Sequence, residues 1–132
     1  METKQTVGIG VIGMGWMGMT HARAYRQIAD RFHNAPLQSK LIICADDVVQ
    51  RTTEAKSRFG FERTTTDFRD VIADEDVQVV NIAAPNNMHL EIVKAATAAG
   101  KQGNPSFREA AAVADVQTAI QTSWEEDHWV SV

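Results

Sequence analysis

The sequence predicts an α/β fold in which helices cover both faces of a mainly parallel sheet of four or five strands. Short apolar runs alternate with segments of helical spacing as far as Gly100, and this alternation is typical of parallel strands joined by helical crossovers. A glycine-rich turn directly follows the first apolar run, as at the first strand–helix junction of such folds. The 132 residues, of which 44% are hydrophobic, suffice for one globular domain spanning residues 1–132.

The first half of the chain contains two strong strand signals. Val7–Ile12 is a nearly continuous apolar run, as expected for a strand buried on both faces. A helix is predicted at Trp16–Ile28, and a loop at Phe32–Lys40 because this segment contains an asparagine and a proline. The second strand is predicted at Leu41–Ala45. A helix at Val48–Phe59 follows, and the glycine after it is a natural C-cap.

The next forty residues repeat the alternation. Threonines and aromatic residues in Phe61–Thr66 indicate a short strand. Asp67 can cap a short helix at Phe68–Ala73, with Asp70 at its third position. Val77–Ala83 is the fourth predicted strand, and a helix at Asn87–Ala99 would end at the following glycine.

The pattern changes after Lys101. A further buried strand should follow there, but Gln102–Pro105 has the composition of a turn. Ser106–Glu109 matches a capping box, which predicts a long helix to about Glu126. An apolar stripe along this helix is expected to cover the exposed flank of the sheet. The stripe consists of Val113, Val116, Ile120 and Trp124. Residues 129–132 are predicted to form a short terminal strand.

Composition excludes several classes of partner. The net charge of −4 argues against nucleic acid or an anionic membrane as the main partner. Cys44 is the only cysteine, so no intrachain disulfide can form, which fits a reducing cytoplasm. No apolar stretch is long enough to span a membrane and no segment resembles a signal peptide, so a cytoplasmic protein is expected. No histidines and cysteines have metal-ligand spacing, and no metal site is predicted.

The glycine-rich turn has the G-x-G-x-x-G spacing of dinucleotide-binding turns and lies between a strand and a helix, as that function requires. Its residues are Gly13, Met14, Gly15, Trp16, Met17 and Gly18. Gly13 would permit the tight turn, Gly15 would let a phosphate approach the backbone, and Gly18 would let the helix pack closely. N–H groups at the helix start would then face a pyrophosphate. The alternative is a glycine-rich turn that holds no ligand.

Asp46 ends the second strand, at the carboxyl edge of the predicted sheet. A carboxylate there can accept both hydroxyl protons of an adenosine ribose, and with Asp47 it would repel a 2′-phosphate. No lysine or arginine follows until Arg51, so NAD is favoured over NADP. The alternative role of Asp46 is that of a helix cap.

The loop after the fourth strand should border the same crevice, because that strand is expected beside the first across the topological switch point. Pro85 fixes the turn and exposes the backbone of Ala84, Asn86 can hydrogen-bond a ribose or phosphate, and His89 could face the crevice. The alternatives are that Asn86 or its neighbour Asn87 only caps the helix and that His89 is a surface residue.

Taken together in order across residues 7–101, these motifs resemble the glucose-fructose oxidoreductase/inositol dehydrogenase/MocA (Gfo/Idh/MocA) family. They are Ile9–Gly18 with His21, Asp46, Ala83–Asn86 with His89, and Ala98–Lys101. The resemblance implies a three-layer Rossmann fold that binds NAD or NADP, followed in family members by an α/β domain carrying much of a sugar or polyol site. It places pyrophosphate on the glycine turn, the ribose at Asp46, and nicotinamide beside Ala84, Pro85, Asn86 and His89.

The family pattern then breaks, because no Glu-Lys-Pro tripeptide, which carries a catalytic lysine in the family, occurs here. The second domain's Asp-x-x-x-His pair is not evident either. The simplest interpretation is a truncated chain in which residues 1–101 form the core, 102–104 a deletion joint and 105–132 the family's returning C-terminal helix and tail. A fifth strand and the substrate domain would be missing.

The predicted function is therefore an NAD-binding domain of a sugar or polyol oxidoreductase that has no catalytic residues of its own. Two alternatives remain open: a small active dehydrogenase that uses His89 or a second subunit, and a folded scaffold without cofactor affinity. The sheet edge left by a missing strand could also support a homodimer.

Overall fold

The computed structural model describes residues 3–101 and 107–126. They form a four-stranded parallel sheet with the strand order β3-β2-β1-β4, which confirms the predicted α/β Rossmann-type architecture. The strands are β1 (Gln5–Ile12), β2 (Leu37–Ala45), β3 (Arg63–Thr65) and β4 (Val79–Ile82). The helices are α1 (Trp16–Arg31), α2 (Val49–Phe59), α3 (Phe68–Ala73), α4 (Asn86–Ala98) and α5 (Phe107–Glu126).

Apolar side chains on both faces of the sheet form two separate cores, which explains the nearly continuous apolar runs of the central strands. The first core joins the sheet to α3 and α4 and includes Val71, Ile92 and Val93. The second joins it to α1 and α2 and includes Val11 and Phe61. Each fully buried side chain of this size stabilises the fold by roughly 1.5–3 kcal/mol. The three layers hold the carboxyl ends of β1, β2 and β4 side by side.

The largest correction concerns β2, which begins at Leu37 and not at Leu41. The predicted loop is therefore shorter, and Leu37–Lys40 is strand that pairs with the start of β1. The N–H of Gln5 donates to the Pro36 carbonyl at 2.9 Å where the two strands meet. These residues escaped prediction because most of their side chains lie outside the cores, and backbone pairing alone leaves no apolar periodicity.

The other predicted elements differ from the observed ones mainly at their ends. The first helix continues three residues beyond Ile28, to Arg31, and β4 is confined to Val79–Ile82. The Asp67 side chain accepts from the Arg69 N–H, so the predicted cap of α3 is confirmed. Gly60 has a φ of 78° at the end of α2, as a glycine C-cap requires.

The last helix, α5, packs along α4. The prediction that its apolar stripe covers the sheet is wrong for the part whose side chains are described, because Ile120 is 64% and Trp124 88% exposed. The side chain of Val113, the capping box at Ser106 and the strand predicted at 129–132 lie outside the described residues.

Candidate dinucleotide-binding site

A cavity of about 420 Å³ opens at the carboxyl edge of the sheet, where β1, β2 and β4 end. Ligands of parallel α/β sheets bind at this edge, at the point where the strand order reverses, and the volume suits a small-molecule site. The predicted site residues that line the cavity are Gly13, Gly15, Trp16, Met17, Asp46, Ala84 and Pro85. The fold therefore brings three motifs that are far apart in sequence to one place.

The three glycines of the turn have different steric surroundings. Gly13 has a φ of 92°, and a Cβ there would lie 2.5 Å from the Ala83 carbonyl oxygen. A Cβ on Gly18 would lie 1.8 Å from the Gly13 oxygen, so the helix can approach the turn only with glycine at this position. Around Gly15, no atom lies within 4 Å of such a Cβ. Gly13 and Gly18 are thus required by the fold, whereas Gly15 is not.

The start of α1 is open towards an anion. Its first helical hydrogen bond runs from the Met19 N–H to the Gly15 carbonyl at 3.0 Å, so the N–H groups before Met19 have no acceptor within the helix. No side chain caps this end, and the first turn holds no acidic residue. Trp16 projects from this turn with 81% of its surface exposed, although it lines the cavity. This end of the helix therefore suits a phosphate.

Asp46 anchors the glycine turn to the end of β2. Its Oδ2 accepts from the Met14 N–H and its Oδ1 from the Val48 N–H, both at 2.8 Å. Burial raises the pKa of this carboxyl, but these two hydrogen bonds, with contributions from Asp47 and Arg51, outweigh burial and leave the pKa lowered. Asp46 is therefore ionised at neutral pH. It both holds the backbone of the glycine turn and lines the cavity.

Met14 does not line the cavity, because its side chain is buried in the second core. Its contribution is the backbone N–H held by Asp46. Gly18 is also buried and acts through packing alone.

Arg51 also lines the cavity, although it was not predicted to do so. Its guanidinium lies 3.5 Å from the Asp46 carboxylate and lines the cavity. The signal was available in the position of Arg51 within the first turn of α2, since a helix that starts at a strand's carboxyl end keeps its first turn near that edge. Thr66 and Phe68, which lie beyond β3, also line the cavity without having been predicted to do so.

The loop after β4 reaches the cavity only in part. Ala84 and Pro85 line it, but Asn86 lines a separate cavity of about 330 Å³ between α4 and α5. The Nε2 atom of His89 lies 2.7 Å from the Ala84 carbonyl oxygen, and a carbonyl can only accept, so Nε2 carries the hydrogen. Neither Asn86 nor Asn87 caps α4 with its side chain, because the N-cap residue is Pro85.

His21 belongs to a polar network outside this cavity. Its Nδ1 lies 3.0 Å from Oδ1 of Asn81 on β4, and Asn81 donates to the Tyr25 hydroxyl at 3.2 Å. Within the part of the chain that the structure describes, no cluster of histidine, cysteine or acidic side chains could hold a metal ion. No described helix is long and apolar enough to cross a membrane.

Comparison with known proteins agrees with this geometry. A family model described as an oxidoreductase family with an NAD-binding Rossmann fold matches residues 7–122. Levoglucosan dehydrogenase of Pseudarthrobacter phenanthrenivorans is 42% identical over 97 residues, covering 74% of this chain and 25% of the relative. Inositol 2-dehydrogenase of Salmonella typhimurium is 30% identical over 117 residues, covering 88% and 33%.

Solved structures show the same relationship. A levoglucosan dehydrogenase in complex with NADH superimposes with a TM-score of 0.71 at 41% identity, covering 75% of this chain and 27% of the other. A scyllo-inositol dehydrogenase from Lactobacillus casei with bound NAD(H) and scyllo-inositol gives 0.63 at 30% identity, covering 75% and 27%. The chain spans about a quarter to a third of the length of these relatives.

Proposed function

This chain belongs to the Gfo/Idh/MocA oxidoreductase family and matches its NAD-binding Rossmann domain, and on that premise we propose that it is a dinucleotide-binding module without catalytic activity of its own. The module takes NAD in preference to NADP. The pyrophosphate lies on the glycine turn, the adenosine ribose lies beside Asp46, and the nicotinamide lies towards Ala84 and Pro85.

The observation that carries this proposal is the open surface of Gly15. Its φ of −72° suits any residue, and a Cβ would meet no atom within 4 Å, so folding does not explain why a glycine stands there. Serine or aspartate would cap the helix better than glycine does. A phosphate that needs close contact with the backbone does account for a glycine at this position.

Hydride transfer also requires an oriented substrate and a group that exchanges a proton near the reacting carbon. The sequence has no Glu-Lys-Pro tripeptide, and the Nε2–H of His89 is engaged with the Ala84 carbonyl. Asn86 lines a different cavity. These features support binding without turnover. Residues 102–104, the predicted joint between the core and a returning helix, lie outside the described residues.

Calorimetric titration with NAD tests the binding function. We expect saturable one-to-one binding with a micromolar or weaker dissociation constant, because the described crevice encloses the ligand on the Rossmann side only. Gly15→Ala is the matched variant that should fold normally and bind NAD more weakly, since it adds one methyl group on the cavity wall and clashes with nothing in the protein. No heat of binding from the folded protein would favour the scaffold alternative, and sub-micromolar affinity would contradict the partial crevice.

Catalysis is tested separately with a panel of polyols and anhydrosugars, with NAD reduction followed at 340 nm. The expected rate equals that of the protein-free mixture. Turnover by the unmodified protein that His89→Ala abolishes would show a small active dehydrogenase and overturn the inactive assignment.

The outer edge of β4 is the proposed surface for a homodimer. Among the described strands, β4 pairs on one side only, with β1, and an open edge is a template for pairing with another chain. Sedimentation velocity over a range of concentrations should show a reversible dimer. A strictly monomeric protein at millimolar concentration would exclude it.

A further inference from the structure

A further cavity, of about 360 Å³, lies between α1 and β4 and shares no lining residue with the proposed dinucleotide site. Its volume suits a small ligand. Three of its lining residues, His21, Tyr25 and Asn81, are half-buried and connected by hydrogen bonds. Ile28 and Phe32 add an apolar wall. The cavity therefore combines a polar cluster with an apolar surface, and the proposed function uses neither.

The polar cluster keeps hydrogen-bond donors that no other described residue uses. An amide oxygen can only accept, so Nδ1 of His21, which lies 3.0 Å from Oδ1 of Asn81, carries the hydrogen. The Asn81 amide nitrogen donates one of its two hydrogens to the Tyr25 oxygen at 3.2 Å. Its second hydrogen and the Tyr25 hydroxyl hydrogen have no acceptor among residues 3–101 and 107–126. The cluster thus offers a ligand two donors and one acceptor, which is Nε2 of His21.

The described lining of this cavity carries a positive charge and no negative one. Arg31 reaches it from the last turn of α1, and its guanidinium has no partner in the part of the chain that the structure describes. None of the described residues that line the cavity is acidic. A guanidinium, assisted by neutral N–H and O–H donors, binds a carboxylate well. An anionic ligand is therefore favoured here, although the net charge of the whole protein is −4.

We propose that this cavity is a binding site for a small carboxylate that has an apolar body, either an aromatic ring or a branched alkyl group. The carboxylate accepts hydrogen bonds from Arg31, Tyr25 and Asn81, and the apolar body packs against Ile28 and Phe32. Phe32 is 62% exposed, so an apolar ligand gains stability by removing part of this ring from water. The site is independent of the dinucleotide cavity.

Phenylacetate is the probe, and ¹H–¹⁵N NMR signals of the protein follow its binding. The side-chain amide of Asn81 and the Nε–H of Arg31 report directly on the site. We expect both signals to shift and saturate, with a dissociation constant of about 1 mM or lower for a ligand of this size. Acetate lacks the apolar body and 2-phenylethanol lacks the charge, so each should bind at least about tenfold more weakly. The protein is kept at a concentration where sedimentation velocity shows a monomer.

Three substitutions test the separate contacts. Arg31→Gln should weaken phenylacetate about three- to tenfold, a loss limited by the solvent exposure of the guanidinium. Arg23→Gln is the matched control, because Arg23 is exposed on the same helix and does not line the cavity. Tyr25→Phe keeps the ring and removes the hydroxyl, so it should weaken phenylacetate about threefold. Phe32→Ala removes apolar wall and should also weaken it. Circular dichroism checks that each variant folds.

Two kinds of result would overturn the inference. One is the absence of saturable shifts at Asn81, or equal affinity for phenylacetate and acetate, which would indicate an adventitious anion site only. The other is equal weakening by Arg31→Gln and Arg23→Gln, which would show an effect of overall charge. Arg31→Gln should leave NAD affinity unchanged, because the two cavities share no lining residue. Failure of NAD to bind would count against the dinucleotide function alone.

Discussion

Alanine at Gly15 should leave the free energy of unfolding almost unchanged, whereas alanine at Gly13 should lower it strongly, although both add one methyl group to the same turn. Glycine is a better N-cap residue than alanine, so Gly15→Ala weakens the start of α1 by up to about 1 kcal/mol. The same change removes freedom from the unfolded chain, which stabilises by about 0.4–1 kcal/mol where φ permits alanine, as the −72° at Gly15 does. The two effects offset each other, and the free energy of unfolding should change by less than about 1 kcal/mol.

At Gly13 the balance is different. A φ of 92° costs an L-residue about 1–3 kcal/mol. The new Cβ would also lie 2.5 Å from the backbone oxygen of Ala83, and forcing such contacts apart costs about another 1–3 kcal/mol. Since a whole domain is stable by about 5–15 kcal/mol, Gly13→Ala should lower the melting temperature by roughly 10 °C or prevent folding.

The assay combines thermal unfolding, followed by circular dichroism, with calorimetric titration of NAD. Gly15→Ala should melt within a few degrees of the unmodified chain, yet bind NAD at least about tenfold more weakly, which corresponds to 1.4 kcal/mol. The added methyl group would occupy the surface that a phosphate oxygen must approach. A folded Gly15→Ala protein with unchanged NAD affinity would refute the assignment of pyrophosphate to this turn.

Two substitutions and one labelling experiment test other parts of the structure. Asp46→Asn replaces one carboxylate acceptor, so it should destabilise by about 1–3 kcal/mol at pH 7. Folding lowers the pKa of Asp46, so its ionised form stabilises the protein fully above the unfolded pKa of about 3.9, and this stabilisation is lost as the pH falls through the folded pKa. In urea unfolding, a destabilisation by Asp46→Asn that stays constant down to pH 2 would contradict this. Burial, with a smaller effect from Asp46, raises the pKa of the Cys44 thiol to about 12. A thiol reagent at pH 8 should therefore label Cys44 no faster than the protein unfolds. Rapid labelling of the folded protein would show that the core around Cys44 is open to the reagent. Lys101→Met removes an ammonium group that donates to two backbone carbonyls at 2.8 and 2.6 Å, so it should lower the free energy of unfolding by about 1–3 kcal/mol. Lys94 is exposed, and Lys94→Met should leave the free energy of unfolding unchanged. Equal urea midpoints for the two variants would disprove the stabilising role of the Lys101 hydrogen bonds.

The central part of the fold was predictable because the buried strands leave strong signals. Val7–Ile12 needs apolar residues on both faces, and Gly60 is required where α2 ends, so both appear directly in the sequence. The start of β2 at Leu37 left no such signal, because that stretch is held by backbone pairing with β1. The exposed stripe on α5 shows the converse limit. Helical spacing placed Val116, Ile120 and Trp124 on one face of the helix, but it could not predict that these three side chains would remain exposed.

Within the candidate site, the glycine spacing located the turn, and strand order located Asp46 and Pro85 beside it. Spacing could not determine side-chain directions at the start of a helix. Asn86 and His89 follow the predicted loop closely, yet the turn of α4 directs them away from the cavity. Arg51 was overlooked for the complementary reason, since the first turn of α2 brings it back to a carboxylate five positions earlier in the sequence.

The bonds of Lys101 also determine where this domain can be extended. Its ammonium group holds the carbonyls of Asp74 and Val77, at the amino end of β4, whereas the cavity lies at the opposite end of that strand. A polypeptide inserted directly after Lys101 would therefore start at the opposite end of β4 from the cavity. That position is suited to grafting a reporter domain, because it is separated from the proposed cofactor site by the length of the strand.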